Sequence, residues 1–568
     1  MKKILLRLMF LAMLVALLPV HVAQACSAFI VGKDLTADGS TLFGRTEDYP
    51  YAPDGGRHNQ NYVVVPAKTY KDGDKIEDES NGFTYPHLAN EMKYTAVYDS
   101  DRDNGSNGNF AAHGFNELGV AMTATVSATP NDKVLKEDPL VKDGLPEASL
   151  VDLALPRAKT AREVIETVAK VLDEKGSAEG NIIVAADKNE LWYMEILSGH
   201  QYVAIKFPTN KYAVFANTYY LGHVDLNDKE NVIASKDVEE VAKKADNYKT
   251  DKDGNFMIAK SYGPDKYMER NRSRTYAGIK WMDPQAKVNY DDEAFDLLRE
   301  PTDPNKKYTV HDVIAEQRNR FEHLPEYKAD DLVEVGKKID GNVYKYALGN
   351  ENVIDAHVYQ IKPNLPNAFG GVMWLGLAQS RNTPYVPFYG NVEDTYEAFK
   401  NRSTKYDGKS WYWTVWHIDQ MVMKYPEIFG NSIQEKWKAK EAEWDKEQTE
   451  RDAKYANYTD EQAKAAGPEV TKEALERSEK IFKEIKAVEA EMEEKIKKEK
   501  GKDADLVYTG YNKANLLAEA EKGKSADKAN DTKKDSSSQT TWIVIGVLVV
   551  LVAGFFGYKQ FNKKKEEE

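Results

Sequence analysis

The feature that most constrains this chain is a predicted cleavage point immediately before its single cysteine, Cys26. Residues 1–25 combine a basic start, an apolar run at 8–20 and the small residues Ala23 and Ala25, which is the pattern of a secretory leader. The apolar run is too short to span a membrane. We therefore predict that residues 1–25 are a signal peptide and that the mature chain begins with Cys26.

Three interpretations of Cys26 compete. A lipoprotein acylation site is disfavoured, because that pattern places a large apolar residue where this chain has Ala23 and a small one where it has Gln24. A passive thiol is a liability in a secreted protein, and a lone cysteine cannot form an internal disulfide. The third interpretation is an N-terminal nucleophile whose own α-amino group is the general base, since the pKa values of an α-amine and a thiol are similar. We favour the third interpretation, which requires no histidine.

Composition limits the setting in which the chain works. Its 78 Lys and Arg against 92 Asp and Glu give a formal net charge of -14, which disfavours a nucleic-acid partner. Removal of 25 residues from 568 leaves 543, ample for a large core. With 33 Tyr, 19 Phe and 9 Trp, most of the chain is expected to be globular.

The C-terminal end predicts a membrane anchor. Residues 542–558 are almost entirely apolar. The length of this run is about the shortest that spans a bilayer. The tail at 559–568 is rich in lysine and should stay in the cytoplasm. The polar stretch 522–541 is predicted to be a flexible spacer. A single-pass protein of the cell membrane, with its main domain outside the cell, is therefore expected.

A charged helical extension is predicted at 431–521. Its first part is dense in Glu, Lys and Ala and is broken by Gly467-Pro468. Apolar residues recur there at helical spacing. This stripe predicts either packing against the main domain, which we favour, or a coiled-coil surface for a partner. The stripe consists of Ile481, Ile485, Val488, Met492 and Ile496.

Residues 26–430 are predicted to form one domain of mixed helices and strands. The β-prone runs at 26–31 and 40–46 are joined by a segment with the hairpin signal Asp38-Gly39. Helical spacing covers 150–174. Four further β-prone runs predict an antiparallel meander, and the interleaving of strands with amphipathic helices predicts an α+β layered fold. These four runs lie at 181–186, 191–196, 201–205 and 212–216.

A series of motifs follows in order through roughly residues 26–425. It resembles the dipeptidase A family of N-terminal-nucleophile cysteine peptidases, relatives of penicillin V acylase and bile salt hydrolase. The resemblance implies a four-layer αββα sandwich, with the N-terminal residue at the end of a central strand and dipeptides or short peptides as substrates. The motifs are Cys26-Ser-Ala-Phe-Ile-Val-Gly, Asp38-Gly39-Ser40-Thr41, Arg45-Thr-Glu-Asp48, Asn116-Glu-Leu-Gly-Val-Ala-Met, Ala216-Asn217 and Gly370-Gly-Val-Met-Trp.

The resemblance also implies roles for individual residues. Cys26 would attack the scissile carbonyl and form a thioester. Arg45 and Asp48 match the Arg-x-x-Asp pair of the family, with Asp48 orienting the free amine and Arg45 lowering the pKa of the thiol. Asn217 matches the asparagine whose side-chain amide contributes to the oxyanion hole. Arg274 matches a later active-site arginine.

Two points about these assignments stay open in the sequence. Arg272 lies two residues before Arg274 and could be the true counterpart. In the acylase and bile salt hydrolase branch, an Asn or Tyr after the Asn-Glu-x-Gly motif lines the site, whereas this chain has Thr123-Ala-Thr-Val-Ser. That difference favours small peptides as substrates. The alternatives are an amidase of the acylase branch and a non-catalytic surface binding or adhesion protein on the same fold.

No cofactor or metal ion is expected. The 10 histidines show no zinc-like pairing with the lone cysteine, and no P-loop or dinucleotide fingerprint is present. The stretch 99–110 resembles a calcium loop, but Asn104 stands in place of its glycine and Phe110 in place of its glutamate. Side-chain preference and oligomeric state, a homo-oligomer included, are not determined by the sequence.

Overall fold

The computed structural model describes residues 26–49, 58–100, 107–124, 126–324, 327–329 and 344–510. They belong to one compact unit that extends through Tyr511. The predicted signal peptide, spacer, membrane run 542–558 and lysine-rich tail lie outside the described residues. Within the described ranges, no helix is both long enough and apolar enough to cross a membrane.

The strands follow one another along most of the first 390 residues. In chain order they are β1 Ser27–Val31, β2 Thr41–Asp48, β3 Asn59–Val65, β4 Lys68–Thr69, β5 Lys75–Asp78, β6 Phe83–Pro86, β7 Asn90–Glu91, β8 Tyr94–Ser100, β9 Asn107–Phe115, β10 Ala121–Ala124, β11 Asn181–Ala186, β12 Leu191–Ile196, β13 Tyr202–Lys206, β14 Tyr212–Phe215, β15 Val232–Ala234, β16 Lys328–Ala329, β17 Tyr344–Lys345, β18 Val353–Ile361, β19 Val372–Leu377 and β20 Val386–Tyr389.

The α-helices concentrate in the C-terminal part of the described chain. In chain order they are α1 Asp132–Glu137, α2 Leu150–Ala154, α3 Ala161–Lys175, α4 Val238–Lys244, α5 Ile258–Tyr262, α6 Glu269–Met282, α7 Val310–Gln317, α8 Glu397–Lys400, α9 Trp411–Lys424, α10 Pro426–Phe429, α11 Ser432–Tyr455, α12 Asp460–Ala465 and α13 Gly467–Lys500. The mixture of helix and sheet agrees with the predicted class.

Two antiparallel sheets form the centre of the molecule. One has the strand order β14-β1-β2-β18-β19-β20, and the other has the order β15-β13-β12-β11-β10-β9-β8-β3. The predicted hairpin of β1 and β2 is confirmed, with Ser27 opposite Thr46. Its connection uses Gly39 at a φ of 75°, which favours glycine. Because β1 has neighbours on both sides, its first residues lie in the interior of the sheet.

The predicted four-stranded meander is correct for three strands and wrong for the fourth. Strands β11, β12 and β13 are consecutive in the eight-stranded sheet, but β14 crosses to the other sheet and pairs with β1. The place beside β13 is taken by β15. All four residues of β14 are buried, so both of its faces need cover. In the six-stranded sheet, one face of β14 packs against α6, where Val214 contacts Gly278.

The predicted helix at 150–174 is interrupted. It forms as α2 and α3, separated by a segment that contains Pro156. Proline has no N–H for a helical hydrogen bond and disfavours helix in the residue before it. The second helix then starts afresh, with the Thr160 side chain accepting from the N–H of Glu163 at its N-terminus.

The sheets face each other, and helices cover their outer faces. Along β11, Ile182 and Val184 join the large core shared with the six-stranded sheet, whereas Ile183 and Ala185 pack with α2 and α3. This is the alternation expected of a strand that is buried on both faces. On the far side, α6 packs on β14, and α7 packs on β18 and β2. Functional side chains between the sheets are therefore shielded from water.

The charged extension packs onto this body. Its helices break at Gly467, where Pro468 lies in the first turn of α13, as the sequence predicted. All five residues of the apolar stripe are buried, which confirms packing against the chain itself. A buried pair joins Glu441 of α11 to Arg318 at the end of α7, at 2.9 and 2.6 Å. The boundary proposed at residue 430 stays a prediction.

Candidate active site

Cys26 lies at the entrance of β1, between the two sheets. It is 1% exposed. Arg45 of β2 donates from Nη1 to the Cys26 Sγ at 3.4 Å and from Nη2 to the carbonyl oxygen of Ala112 on the opposite sheet at 3.5 Å. The thiol thus faces the interior, with a guanidinium beside it.

Burial dominates the electrostatics of the thiol. Removal from water raises the pKa of Cys26 to about 12, Arg45 lowers it, and the carboxylates of Glu47 and Asp48 raise it. The contribution of Arg45 therefore has the predicted sign. In the chain that still carries residues 1–25, desolvation outweighs the arginine, so the pKa of the thiol lies above its ordinary value. In that form Cys26 is a neutral thiol.

Arg274 of α6 organises the other side of Cys26. Its Nη1 donates to the carbonyl oxygen of Cys26, and to Ser27 Oγ at 3.0 Å. Its Nη2 donates to Asn217 Oδ1 at 2.8 Å and to Asn271 Oδ1 at 2.9 Å, and its Nε donates to the carbonyl oxygen of Arg270 at 2.9 Å. All five N–H groups are therefore engaged, which fixes the guanidinium in one orientation.

The two candidate arginines differ in what they contact. Arg272 donates from Nη1 to the carbonyl oxygens of Tyr290, at 2.8 Å, and of Asp292, in the loop after α6. Arg274 is the arginine that contacts Cys26. The two side chains differ because residues two apart on a helix point in different directions.

Asn217 follows β14 and presents a donor that no other described residue engages. Its Oδ1 accepts from Arg274, and its carbonyl oxygen accepts from Asn271 Nδ2 at 2.6 Å. This pairing determines which end of the amide is oxygen. Asn217 Nδ2 is buried and has no hydrogen-bond partner among the described residues. A buried donor in this state is suited to bind an oxygen that develops negative charge.

Asp48 closes the site at the end of β2. Its Oδ2 accepts from Asn350 Nδ2 at 2.6 Å, and Asn350 Oδ1 accepts in turn from the Tyr346 hydroxyl at 2.8 Å. The backbone of Asp48 forms a hydrogen bond that favours the Cys26 thiolate. The structure thus brings all five predicted residues to one place: Cys26, Arg45, Asp48, Asn217 and Arg274.

Sequence reasoning missed several neighbours of these residues. Asn271 precedes Arg274 by three residues on a helix, and Glu47 follows Arg45 by two on a strand, so helical and strand periodicity would have placed both at the site. The supporting role of Asn350 has no local signal, because it depends on a contact 302 residues away along the chain.

A second buried polar group lies beside Arg45. His113 and His357 stack at 3.5 Å, and Asp355 Oδ2 lies 3.1 Å from His113 Nε2 and 3.0 Å from His357 Nδ1. The three side chains are close enough to share a metal ion. Their remaining ring nitrogens contact the Tyr359 hydroxyl at 2.8 Å and Thr123 Oγ1 at 2.9 Å. Hydrogen bonds thus account for three of the four ring nitrogens, whereas His113 Nε2 has no hydrogen-bond partner among the described residues.

The fold and the site define a mixed helix-and-sheet protein with a buried cysteine between two arginines and an unpaired amide donor. The chain belongs to Peptidase family C69, whose family model matches residues 25–478. It is therefore a peptidase, and the resemblance predicted from the motifs is confirmed.

Similar proteins carry related names. The chain is 48% identical over 486 residues to Probable dipeptidase B of Streptococcus pyogenes serotype M1, covering 84% of this chain and 95% of that one. It is 33% identical over 392 residues to Probable dipeptidase of Latilactobacillus sakei, covering 69% and 79%. It is 28% identical over 396 residues to Probable dipeptidase A of S. pyogenes serotype M3 (strain SSI-1), covering 69% and 81%.

Proposed function

We propose that this protein is a cell-surface dipeptidase that cleaves dipeptides or short peptides with Cys26 as an N-terminal nucleophile. The names of its relatives favour dipeptides as substrates. The observation that carries the mechanism is the arrangement around Arg274. This residue contacts the Cys26 carbonyl oxygen and Asn217 Oδ1 together, and leaves Asn217 Nδ2 as a buried, unpaired donor among the described residues.

The reaction begins with removal of residues 1–25, which converts the backbone nitrogen of Cys26 into a free amine. That amine accepts the thiol proton, and the thiolate attacks the scissile carbonyl carbon. Asn217 Nδ2 donates to the resulting oxyanion. When the tetrahedral intermediate collapses, the C–N bond breaks, and the ammonium of Cys26 returns the proton to the departing amine. Water then attacks the thioester and releases the carboxylic acid and the thiol.

The other residues support this sequence of steps. Arg45 contacts the thiol and stabilises its negative charge. Asp48 orients the amine of Cys26, a role supported by its position at the end of β2 and by its firm hydrogen bond from Asn350. Arg274 is a positioning residue, since it holds Asn217 and the Cys26 carbonyl group while all its donors are occupied.

We also propose that the protein is a four-layer αββα hydrolase of the N-terminal-nucleophile class. The facing sheets, with α2 and α3 on one outer side and α6 and α7 on the other, support this classification. The position of Cys26 at the entrance of an interior strand supports it further.

The location of the protein is a separate proposal that rests on the sequence. A signal peptide at 1–25 and an apolar run at 542–558 followed by lysines support an extracellular enzyme with a C-terminal membrane anchor. Deletion of residues 542–568 should release the protein into the medium. Continued retention of the shortened protein in the membrane would contradict the anchor.

The function is tested by assaying the secreted protein and its Cys26→Ala and Cys26→Ser variants on dipeptides, longer peptides and acylated amides. We expect the N-terminal residue of the secreted protein to be Cys26, dipeptides to be cleaved fastest, and Cys26→Ala to be inactive. Unchanged hydrolysis by Cys26→Ala would exclude the mechanism. Faster cleavage of acylated amides would instead exclude the dipeptide assignment.

A further inference from the structure

Glu47 is a buried carboxylate beside the nucleophile that the mechanism does not use. It lies on β2 two residues after Arg45 and shares the face of that residue. Glu47 Oε2 accepts from Arg45 Nη2 at 3.1 Å. Its Oε1 is buried without a hydrogen-bond partner among the described residues. A carboxylate oxygen left unpaired in the interior is costly, so its place next to the thiol calls for a ligand.

The strand register places Glu47 and Asn217 on opposite sides of Cys26. Ser27 pairs with Thr46, so Glu47, the next residue of β2, is beside Cys26 on one side. Ala28 pairs with Phe215 of β14, so Asn217, two residues further, is beside Cys26 on the other. Within the described part of the chain, the site therefore presents a buried unpaired donor and a buried unpaired acceptor on opposite sides of the nucleophile.

The chemistry of a dipeptide matches this pair. In its N-terminal residue, the α-amino nitrogen and the scissile carbonyl carbon are bonded to the same Cα atom. A substrate whose carbonyl carbon meets Cys26 Sγ, with its oxygen toward Asn217, therefore carries its ammonium group within a few bonds of the sulfur. An ammonium group has three donors and no acceptor, and a carboxylate oxygen is its natural partner.

The local charges agree with this assignment. Burial raises the pKa of Glu47 to about 8, Arg45 lowers it, and the carboxylates of Asp99 and Asp355 raise it further. The negative charge of Glu47 also opposes formation of the thiolate at Cys26. An ammonium group bound between these carboxylates and the sulfur would lower the pKa of Glu47 and would stabilise the thiolate of Cys26.

We propose that Glu47 binds the α-ammonium group of the N-terminal residue of the substrate and thereby restricts the enzyme to peptides with a free N-terminus. This assignment rests on the proposed function and makes it more specific. Glu47 determines specificity, and the bond-breaking steps stay with Cys26. Peptides whose N-terminus is acylated lack the charge that Glu47 would meet.

The test compares a dipeptide with its desamino analogue, in which hydrogen replaces the α-amino group. In the mature wild-type enzyme, kcat/KM should be about 10- to 100-fold higher for the dipeptide, as expected for a hydrogen bond between charged groups. In Glu47→Gln, which keeps an acceptor for Arg45, kcat/KM for the dipeptide should fall to the level of the desamino analogue. Because Glu47 also influences the Cys26 thiol, and does so for both substrates, the readout is the ratio of the two kcat/KM values, which should fall to about one. A preserved preference for the free amine would overturn the assignment.

A matched control is Glu316→Gln. Glu316 of α7 is a buried carboxyl group whose pKa burial also raises to about 8, and its Oε1 lies beside Gly278 of α6, on the outer side of the six-stranded sheet. Its substitution should leave the preference for a free amine unchanged. Equal loss of preference in both variants would mean that removal of any buried carboxylate disturbs the site, and would also overturn the assignment.

A binding measurement keeps the test independent of the folding of Glu47 variants. In the mature Cys26→Ala protein, which retains Glu47, calorimetry should show about 10- to 100-fold weaker binding of the desamino analogue than of the dipeptide. Equal affinities would overturn the role of Glu47 and leave the nucleophile untouched. Hydrolysis by Cys26→Ala would overturn the proposed function instead, so the two failures are distinguishable.

Discussion

Two buried arginines in this molecule have opposite surroundings. Arg318 contacts Glu441 through two hydrogen bonds, so its charge is neutralised where the extension joins the body. Arg274 donates its five N–H groups to neutral oxygens, and none of its hydrogen-bond acceptors within the described residues is a carboxylate. A buried charge ordinarily has an opposite partner. The exception lies at Cys26, where positive charge can stabilise an anion that exists only during reaction.

The largest expected effect follows from removing the negative charge that pairs with Arg318. Glu441→Gln leaves the charge of Arg318 buried without its partner, and we expect a loss of about 3–5 kcal/mol in the free energy of unfolding. Urea titration of the mature protein measures this loss. The kcat of the folded variant should stay near the wild-type value. A large fall in kcat with unchanged stability would place Arg318 in the site and remove the contrast with Arg274.

The next effect concerns the unpaired donor. Asn217→Asp still accepts from Arg274 but offers no N–H to an oxyanion, so kcat should fall by roughly 10²–10³-fold. The free energy of unfolding should change far less than in Glu441→Gln. Steady-state kinetics at saturating dipeptide checks the first expectation. Asn131→Asp is the control and should keep its kcat. The Asn131 side chain caps α1 by accepting from the N–H groups of Lys133 and Val134, and aspartate keeps both hydrogen bonds.

The smallest effect concerns the two histidines beside Arg45. Burial, together with His113, lowers the pKa of His357 from 6.5 to about 3, against the opposing effect of Asp355. Between these values the unfolded chain binds a proton that the folded protein does not, so acid destabilises the fold. This one group should reduce the free energy of unfolding by about 1.4 kcal/mol per unit as the pH falls from 6 to 4.

The variant His357→Gln isolates that contribution. The difference in unfolding free energy between wild type and variant should shrink as the pH falls across this range, and kcat at pH 7 should stay near wild type. A difference independent of pH would show that His357 is protonated in the folded state. His357 would then be a buried charge paired with Asp355, like Arg318 with Glu441 and unlike Arg274.

Local patterns predicted much of this structure. The Asp38-Gly39 signal identified the hairpin that carries Cys26, and β-prone runs separated by turn residues identified β11 to β13. The family motifs identified the five residues that meet at the site. Their spacing in the sequence could not choose between Arg272 and Arg274, because that choice depends on the rotation of α6 against β14. In the structure, Arg274 is the arginine that contacts Cys26 and Asn217.

The features that the sequence did not predict depend on packing between residues that are far apart in the chain. Strand β14 has the sequence of a fourth meander strand, but its two buried faces find cover only in the other sheet. The effect of Arg45 on the thiol pKa has the predicted sign, but desolvation, the larger influence on Cys26, depends on every residue packed around the thiol. Asn217 Nδ2 and Glu47 Oε1, which have no partner among the described residues, likewise could not be identified without the surrounding packing.

In the proposed mechanism, cleavage before Cys26 activates the enzyme. The most direct test measures dipeptide hydrolysis by two purified forms, one that retains Ala25 before Cys26 and one that begins with Cys26. Because only the second has a free amine as general base, its kcat should be higher by roughly 10²–10⁴-fold. Equal kcat values in the two forms would contradict the account.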